Sequence, residues 1–309
     1  MSLIRTARPA DEPALHALWA ACFGAAPQLP VVYALDPDRH RHTFLAVSDD
    51  GTIDAVVVYV PRDIRDAEGV PVRVGGIGSV ATRPEARGRG LIRALLQEAA
   101  ATMRAESCAW SLLFTGTPGV YTGSGWQTFP TQLREGSLSE TPPGRSPYRV
   151  RPAHPADLPH LAQPSCSSSP LSTVRTEADW RTRLPAWYGP LSEWLVAEDP
   201  ATGRPAGWAV AAHGKRAVDV REYAATETGA LTALFAAVAA RARHGGLREA
   251  RLRGPAPGPA VLEALPHLMT GATVRTEHIG MIRPLLAPPE HAQAVPRAPG
   301  AVHWYGDSF

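Results

Sequence analysis

Apolar and polar positions follow two different periods along the first third of the chain. Residues 43–47 and 53–60 are apolar, β-branched runs joined across Asp49, Asp50 and Gly51, which predicts a β-hairpin. Residues 72–81 predict a further extended segment, unusual in carrying glycine at positions 75, 76 and 78. The period then lengthens. Ile92, Leu95, Leu96, Ala99 and Met103 recur at three- and four-residue spacings, which predicts a helix over 91–103 with one apolar face. Residues 110–114 form another apolar strand, ending in a loop that contains Gly and Pro. Later in the chain, strands over 194–197, 207–212 and 217–223 precede a helix over 231–242. The order is mixed α/β, antiparallel at its start, with a strand–loop–helix unit at its centre.

An internal repeat organises this series. The stretch RTARPADEPAL at residues 5–15 returns as RPAHPADLPHL at 151–161, with seven of eleven positions identical at a constant offset of 146. In each copy a short strand leads into Pro-Ala-Asp, where the aspartate is expected to cap the following helix. A match of this length at a domain-sized offset predicts a duplicated domain. Residues 140–147 (ETPPGRSP) read as the linker between the copies.

Length and composition narrow the class. The 309 residues leave room for two domains, and 44% hydrophobic with 19% charged residues suits a full core. A formal net charge of +2 provides no field that would imply nucleic acid or an anionic membrane as partner. No apolar run reaches the ~18 residues of a membrane span, and the first eight residues lack the apolar stretch of a secretory signal. Cys22, Cys108 and Cys166 are far apart in sequence, form no CxxC pair and read as small hydrophobes in a reduced compartment, so a cytoplasmic location and no metal are expected.

The segment richest in chemistry is VATRPEARGRGLI, residues 80–92. A strand ends, a charged turn intervenes, and Arg87-Gly88-Arg89-Gly90 opens an apolar helix. Glycine lets the backbone approach a ligand closely, a helix start offers unpaired N–H groups and partial positive charge, and the arginines add full charges. Together they make a diphosphate cradle. An RNA-binding RGG fragment fits poorly, because those come as disordered repeats with aromatics. Gly76-x-Gly78-x-x-Ala81 formally fits a dinucleotide fingerprint, but Thr82, Arg83, Pro84 and Glu85 stand where its helix should begin.

Residues 87–92 resemble the acetyl-CoA motif of the GNAT superfamily of N-acetyltransferases, (Arg/Gln)-x-x-Gly-x-(Gly/Ala), with Arg87 and Gly90 in place. Ile92 departs from the last position, as also occurs in the enhanced-intracellular-survival (Eis) branch. The resemblance implies that Val80, Ala81 and Thr82 bind pantetheine amides along a splayed strand edge. It further implies that Gly88, Arg89, Gly90, Leu91, Ile92 and Arg93 take the pyrophosphate. Beyond this turn, GVYTGSGW (119–126) resembles the GNAT pattern Leu-Tyr-x-x-x-Gly-Phe and puts Tyr121, thirty-one residues past Gly90, at the acid position. By the same resemblance Gly116 and Thr117 touch the cofactor.

The chemistry needs such an acid. Amine attack on a thioester expels a thiolate of reference pKa ~8.5, close enough to ~10 for a tyrosine to protonate the sulfur as it departs. A lysine-like amine of pKa ~10.4 must also lose a proton, at roughly 4–5 kcal/mol at neutral pH. In the Eis branch the C-terminal carboxylate of a phenylalanine is understood to accept it, and this chain ends HWYGDSF. An α-carboxylate near pKa ~3.5 is a weak base unless desolvated, so Phe309 stands beside Asp307 and His303 as alternatives. Residues 286–299 are Pro-rich and read as extended.

The resemblance therefore implies two GNAT domains in tandem, mixed central sheets flanked by helices: a catalytic domain over 1–140, a linker at 141–147, a degenerate copy over 148–286, and a tail at 287–309 returning to the active site. Only 23 residues follow Leu286, so the larger C-terminal domain of the Eis branch, and the hexamer it supports, are not implied. The second copy has Glu227 and a single Gly229 where the cradle should stand, which suits a buttress. Mycothiol synthase, another tandem GNAT protein, keeps its second copy active, the reverse of this pattern. The expected substrate is a small-molecule amine of the aminoglycoside or polyamine kind, with acetyl-CoA as co-substrate. Trp19, Phe23, Tyr33 and Asp36 are candidates for the acceptor wall, and homo-oligomerisation stays open. The alternatives are a thiol-biosynthetic (mycothiol-synthase-like) or protein-lysine acetyltransferase, and, in a different class, a non-catalytic acyl-CoA-binding sensor.

Overall fold

The computed structural model describes residues 2–24, 26–141, 146–162 and 168–309; residues 142–145 of the expected linker and Cys166 lie outside the described residues. The elements are, in chain order, β1 (Leu3–Thr6), α1 (Glu12–Phe23), α2 (Gln28–Ala34), β2 (Thr43–Val47), β3 (Ile53–Arg65), β4 (Pro71–Thr82), α3 (Leu91–Ala105), β5 (Trp110–Phe114), α4 (Gly119–Thr122) and β6 (Gln127–Leu138). They continue with β7 (Arg149–Pro152), α5 (Leu184–Tyr188), β8 (Ser192–Glu198), β9 (Pro205–His213), β10 (Ala217–Ala225), α6 (Thr228–His244), β11 (Glu249–Arg253), α7 (Pro259–Leu268), β12 (Met269–Pro284) and α8 (Pro289–Ala294). No helix among the described residues is long and apolar enough to cross a membrane.

The chain forms two compact units, each assembled from separated stretches. One comprises Met1–Pro130, His278–Ala298 and Ser308–Phe309; the other comprises Thr131–Glu277 and Pro299–Asp307.

In the first unit the strands run β1-β2-β3-β4-β5, with the C-terminal part of β12 beside β5. All neighbours are antiparallel except β4 and β5, which the chain joins by crossing through α3. The apolar face of α3 (Leu95, Leu96, Ala99, Met103) closes one side of the sheet over Ala55, Val57, Tyr59 and Ile77. On the other side α1 sets Leu15, Leu18 and Trp19 against Leu45, Val56, Val58 and Ala81. The expected hairpin turns at Gly51, whose φ of +85° supplies the left-handed residue such a turn requires.

The second unit repeats the scheme. Its strands run β7-β8-β9-β10-β11, followed by the β6 residues 133–137 antiparallel to β11, and the parallel pair β10–β11 is again joined across a helix, α6. Ala230, Leu234, Phe235 and Val238 of α6 fill its core.

The sequence repeat is also a repeat of geometry. Arg5 holds Asp11 by two bonds of 2.7 and 2.8 Å, and Arg151 holds Asp157 by two of 2.6 and 3.0 Å. Neither aspartate caps a helix as expected. Each carboxylate turns back to accept from the main-chain N–H three residues earlier, on Arg8 (2.7 Å) and His154 (2.6 Å). A bidentate guanidinium partner outcompetes the helix amides for the same oxygens. The expected extended stretch over 286–299 is also corrected: α8 forms within it, started by an extended Pro288 and by Pro289 at the first helical position, where a missing N–H costs nothing.

Candidate functional site

The site of the first unit begins where two parallel strands part. β4 pairs with β5 only at Val74–Trp110, Gly75–Ser111 and Gly76–Leu112. Beyond Gly76, β4 runs on to Thr82 while β5 stops at Phe114, so the β5-facing edge of residues 77–82 leaves the pairing. Val80, Ala81 and Thr82 lie on this released stretch. The β3–β4 register also slips there: Val56 faces Ala81 but Val58 faces Gly78, which puts one extra residue on β4. Ser79 sits in that bulge with φ of +51°, a costly angle for a residue with a Cβ.

After β4 the chain turns through Arg83–Gly90. Arg83 braces the turn by donating from its backbone to Asp54 O (2.9 Å) and from Nε to Ile53 O (2.9 Å). Gly88 and Gly90 adopt φ of +77° and +76°, and Gly90 is the residue from which α3 starts. No side chain caps this helix start, so its first amides have no side-chain acceptor. The two arginines separate in role. Arg89 lies on Asp54 (3.2 Å) and Ser2 (3.0 Å), which ties the turn to β3. Arg87 is exposed, with no side-chain partner among the described residues, and it supplies the turn's free positive charge. Arg93 is exposed one turn into α3, its Nη2 beside Gly123.

Tyr121 lies in the four-residue α4, buried in the same apolar cluster that takes Leu91 and Ile92 of the first turn of α3 and Val80 of the bulged strand. Tyr121 thus shares one apolar cluster with residues of the helix start and of the strand edge. Burial pushes its phenol above the ordinary tyrosine value, with a hydrogen bond to Thr115 acting in the opposite sense. Thr115 also accepts from the Thr117 amide (3.0 Å), so that amide is engaged within its own loop, while Gly116 is exposed beside it.

The glycines of β4 have a structural reason that the sequence did not reveal. A Cβ at Gly75 would collide with Met103 on the α3 side of the sheet. On the opposite side, a Cβ at Gly76 would overlap the ring of Phe309, and one at Gly78 would overlap its main-chain oxygen. The last residue therefore lies flat along β4, immediately before the bulge. The other two candidate bases belong to the second unit. Asp307 is buried against Arg175 (2.8 Å), whose attraction outweighs burial and holds its carboxyl below the usual range. His303 is lowered by burial, its Nδ1 3.2 Å from Leu171 O.

Of the candidate acceptor-wall residues, Trp19 and Tyr33 are buried and packed edge to face at 5.1 Å. Asp36 accepts from Asp38 N–H (2.9 Å) within its own turn, and Phe23 is exposed. Sequence reasoning missed Asp54 as the partner of Arg89, since nothing in spacing links residues 35 apart.

In the second unit β10 passes to α6 without a left-handed glycine. Glu227 precedes the helix in extended conformation and accepts from Tyr148 Oη. Tyr223 of β10 is packed by Trp304 at 5.4 Å.

Comparison with known proteins agrees with this geometry. The family profile described as an acetyltransferase (GNAT) domain matches residues 3–129. No curated protein matches the chain. Among solved structures, a probable N-acyltransferase from Enterococcus faecalis superposes with a TM-score of 0.72 at 17% identity, covering 93% of this chain and 73% of that one. A GCN5-related N-acetyltransferase from Anabaena variabilis gives 0.72 at 15% identity, over 92% and 73%. Eis1 from Mycobacterium abscessus gives 0.64 at 15% identity, over 92% and 74%. These likenesses establish the mixed α/β fold of acyl-CoA N-acyltransferases.

Proposed function

Starting from an acetyltransferase (GNAT) domain over residues 3–129, and hence from an acyltransferase, we propose that the chain moves an acetyl group from acetyl-CoA to the primary amine of a small molecule by direct attack in a ternary complex. The amides of residues 88–92 and the Arg87 guanidinium hold the diphosphate, with Arg93 and the loop at Gly116–Thr117 flanking it. The released edge at Val80–Thr82 takes the pantetheine, and Tyr121 protonates the departing sulfur. The α-carboxylate of Phe309 accepts the amine proton. A buried phenol above its ordinary pKa remains protonated at neutral pH, as an acid must.

The observation that carries this reading is the left-handed Gly88–Gly90 turn at the start of α3, beside a strand edge that β5 abandons and over a cluster containing Tyr121. The position of Phe309 on Gly76 and Gly78 favours an Eis-like arrangement of the base over a mycothiol-synthase-like one. The second copy serves as a buttress, its helix start occupied by Glu227 and Tyr148.

Calorimetry with CoA, followed by thiol release from acetyl-CoA over an amine panel (spermidine, kanamycin, lysine peptides), tests the proposal. Uptake of CoA with amine-dependent release is expected, and Tyr121→Phe should lower kcat by about 10²-fold while leaving CoA affinity within a factor of two. CoA uptake without release for any amine would instead indicate an acyl-CoA-binding sensor.

A further inference from the structure

The bulge in β4 has a specific support. Trp19 of α1, 2% exposed, donates its indole N–H to the carbonyl of Ser79 at 2.9 Å. Three residues on, Cys22 Sγ donates to Thr82 O at 3.5 Å, so one face of α1 holds the released stretch of β4 at two points. The Trp19 ring is itself fixed, stacked on His16 at 5.8 Å and edge-on to Tyr33 at 5.1 Å.

The orientation of one peptide follows. Carbonyls in a flat strand lie in the plane of the sheet and point to neighbouring strands. The Ser79 carbonyl instead turns toward α1, where it accepts from Trp19, in a residue whose φ of +51° already departs from strand geometry. Every peptide bond among the described residues is trans, and in a trans peptide the N–H points opposite to the C=O. The Val80 N–H is therefore aimed away from α1, to the side of the sheet that carries α3 and Tyr121, where the Val80 side chain also packs.

We propose that Trp19 is a positioning residue for acyl transfer: its indole N–H pins the Ser79 carbonyl so that the Val80 N–H faces the thioester carbonyl of acetyl-CoA. This rests on the acetyltransferase reading of the same site. A donor held there polarises the carbonyl in the ground state and stabilises the oxyanion that forms when the amine adds. Because the strained bulge fixes it beforehand, no reorganisation is needed at the moment of reaction. Without the Trp19 bond, Ser79 is free to relax toward φ < 0 and swing the 79–80 peptide back into the sheet plane.

The test needs only acetyl-CoA and the full chain. Acetyl-CoA labelled with ¹³C at the carbonyl, bound to the wild-type protein, should show a red-shifted carbonyl stretch in difference infrared spectra. Trp19→Phe removes the donor, and 3-benzothienylalanine placed at position 19 removes it while keeping the size and shape of the indole, which covers the case in which the phenylalanine variant folds poorly. In either variant the red shift should be lost and kcat should fall by about 10–100-fold. CoA, which lacks the carbonyl, should bind both variants within a factor of two of wild type. A purely structural role would move CoA affinity and kcat together. A red shift retained in the benzothienyl variant, or absent from wild type that binds acetyl-CoA, overturns the proposal. Failure of wild type to bind acetyl-CoA at all sinks the acetyltransferase reading instead.

Discussion

At Gly78 a single hydrogen decides what lies over the strand. A methyl group there would displace the Phe309 oxygen, and one at Gly76 would displace its ring. Both glycines lie in extended backbone that alanine adopts without strain, so Gly78→Ala should leave the fold intact and act through Phe309 alone. We expect Gly78→Ala to lower kcat as much as deletion of Phe309 does, with CoA affinity unchanged in calorimetry. Equal kcat in Gly78→Ala and wild type would remove Phe309 from the mechanism. Tyr121 makes a second prediction at this scale. Its pKa is raised by burial, so the phenol still carries its proton when pH reaches the ordinary tyrosine value of ~10. The alkaline loss of kcat attributable to Tyr121 should therefore set in above pH ~10, and Tyr121→Phe should abolish that limb. An essential group titrating near pH 8 in the wild type, and absent from the phenylalanine variant, would contradict this assignment.

At the scale of elements, much of the first unit was legible from pattern alone. The strands over residues 43–47 and 110–114 appear with those bounds, and the helix over 91–103 extends only to Ala105. These segments have unambiguous periods and are flanked by Gly, Pro or Asp. β6 and β12 were not foreseen. Their residues alternate weakly, and each is held by neighbours distant in sequence: β11 for β6, and β5 for β12. No local pattern encodes such a pairing. The glycine turn before α3 was legible because RGRG between a strand and an apolar helix is a local signal, whereas the seat of Phe309 on β4 was visible only as an unexplained excess of glycine in a strand. The turn itself gives a test. Gly90→Ala forces a Cβ into φ of +76° and should cost about 1–2 kcal/mol of stability and more than tenfold in CoA affinity, although nothing lies within 4 Å of the added atom. The paired Arg–Asp clamps give another. The Arg5 and Arg151 guanidinium groups depress Asp11 and Asp157 below the usual carboxylate range. A depressed folded pKa contributes stability that is present above ~3.9 and is lost as pH falls through the folded value. Asp11→Asn with Asp157→Asn should therefore lower Tm at pH 7, and the difference from wild type should shrink as pH falls through the depressed folded values of the two carboxyls.

At the scale of the whole molecule, the last eleven residues divide between the two compact units: 299–307 belong with the second and only 308–309 with the first. Their physics differs accordingly. In the second unit Val302 and Trp304 are core residues, packed with Tyr223 and Phe235, and Asp307 shares Arg175 with Glu222 in a buried charge cluster that Tyr188 completes through its hydroxyl on Glu222. Burial raises the Glu222 carboxyl and Arg175 holds Asp307 low, so the cluster retains at least one charge pair, and removing the cation would strand carboxylates without a partner. Arg175→Met should cost about 3–5 kcal/mol for that reason, or roughly 10 °C in Tm for a unit of this size. Two truncations then separate folding from chemistry. Ending the chain after Ser308 removes Phe309 and leaves both the aromatic core and the ion cluster whole, so Tm should stay within about 2 °C while amine-dependent thiol release falls. Ending it after Ala298 removes Val302, Trp304 and the carboxylate on Arg175 together, and should lower Tm at least as far as Arg175→Met. If the shorter deletion alone unfolds the protein, Phe309 is a structural wedge on β4 and the proton must leave by another route.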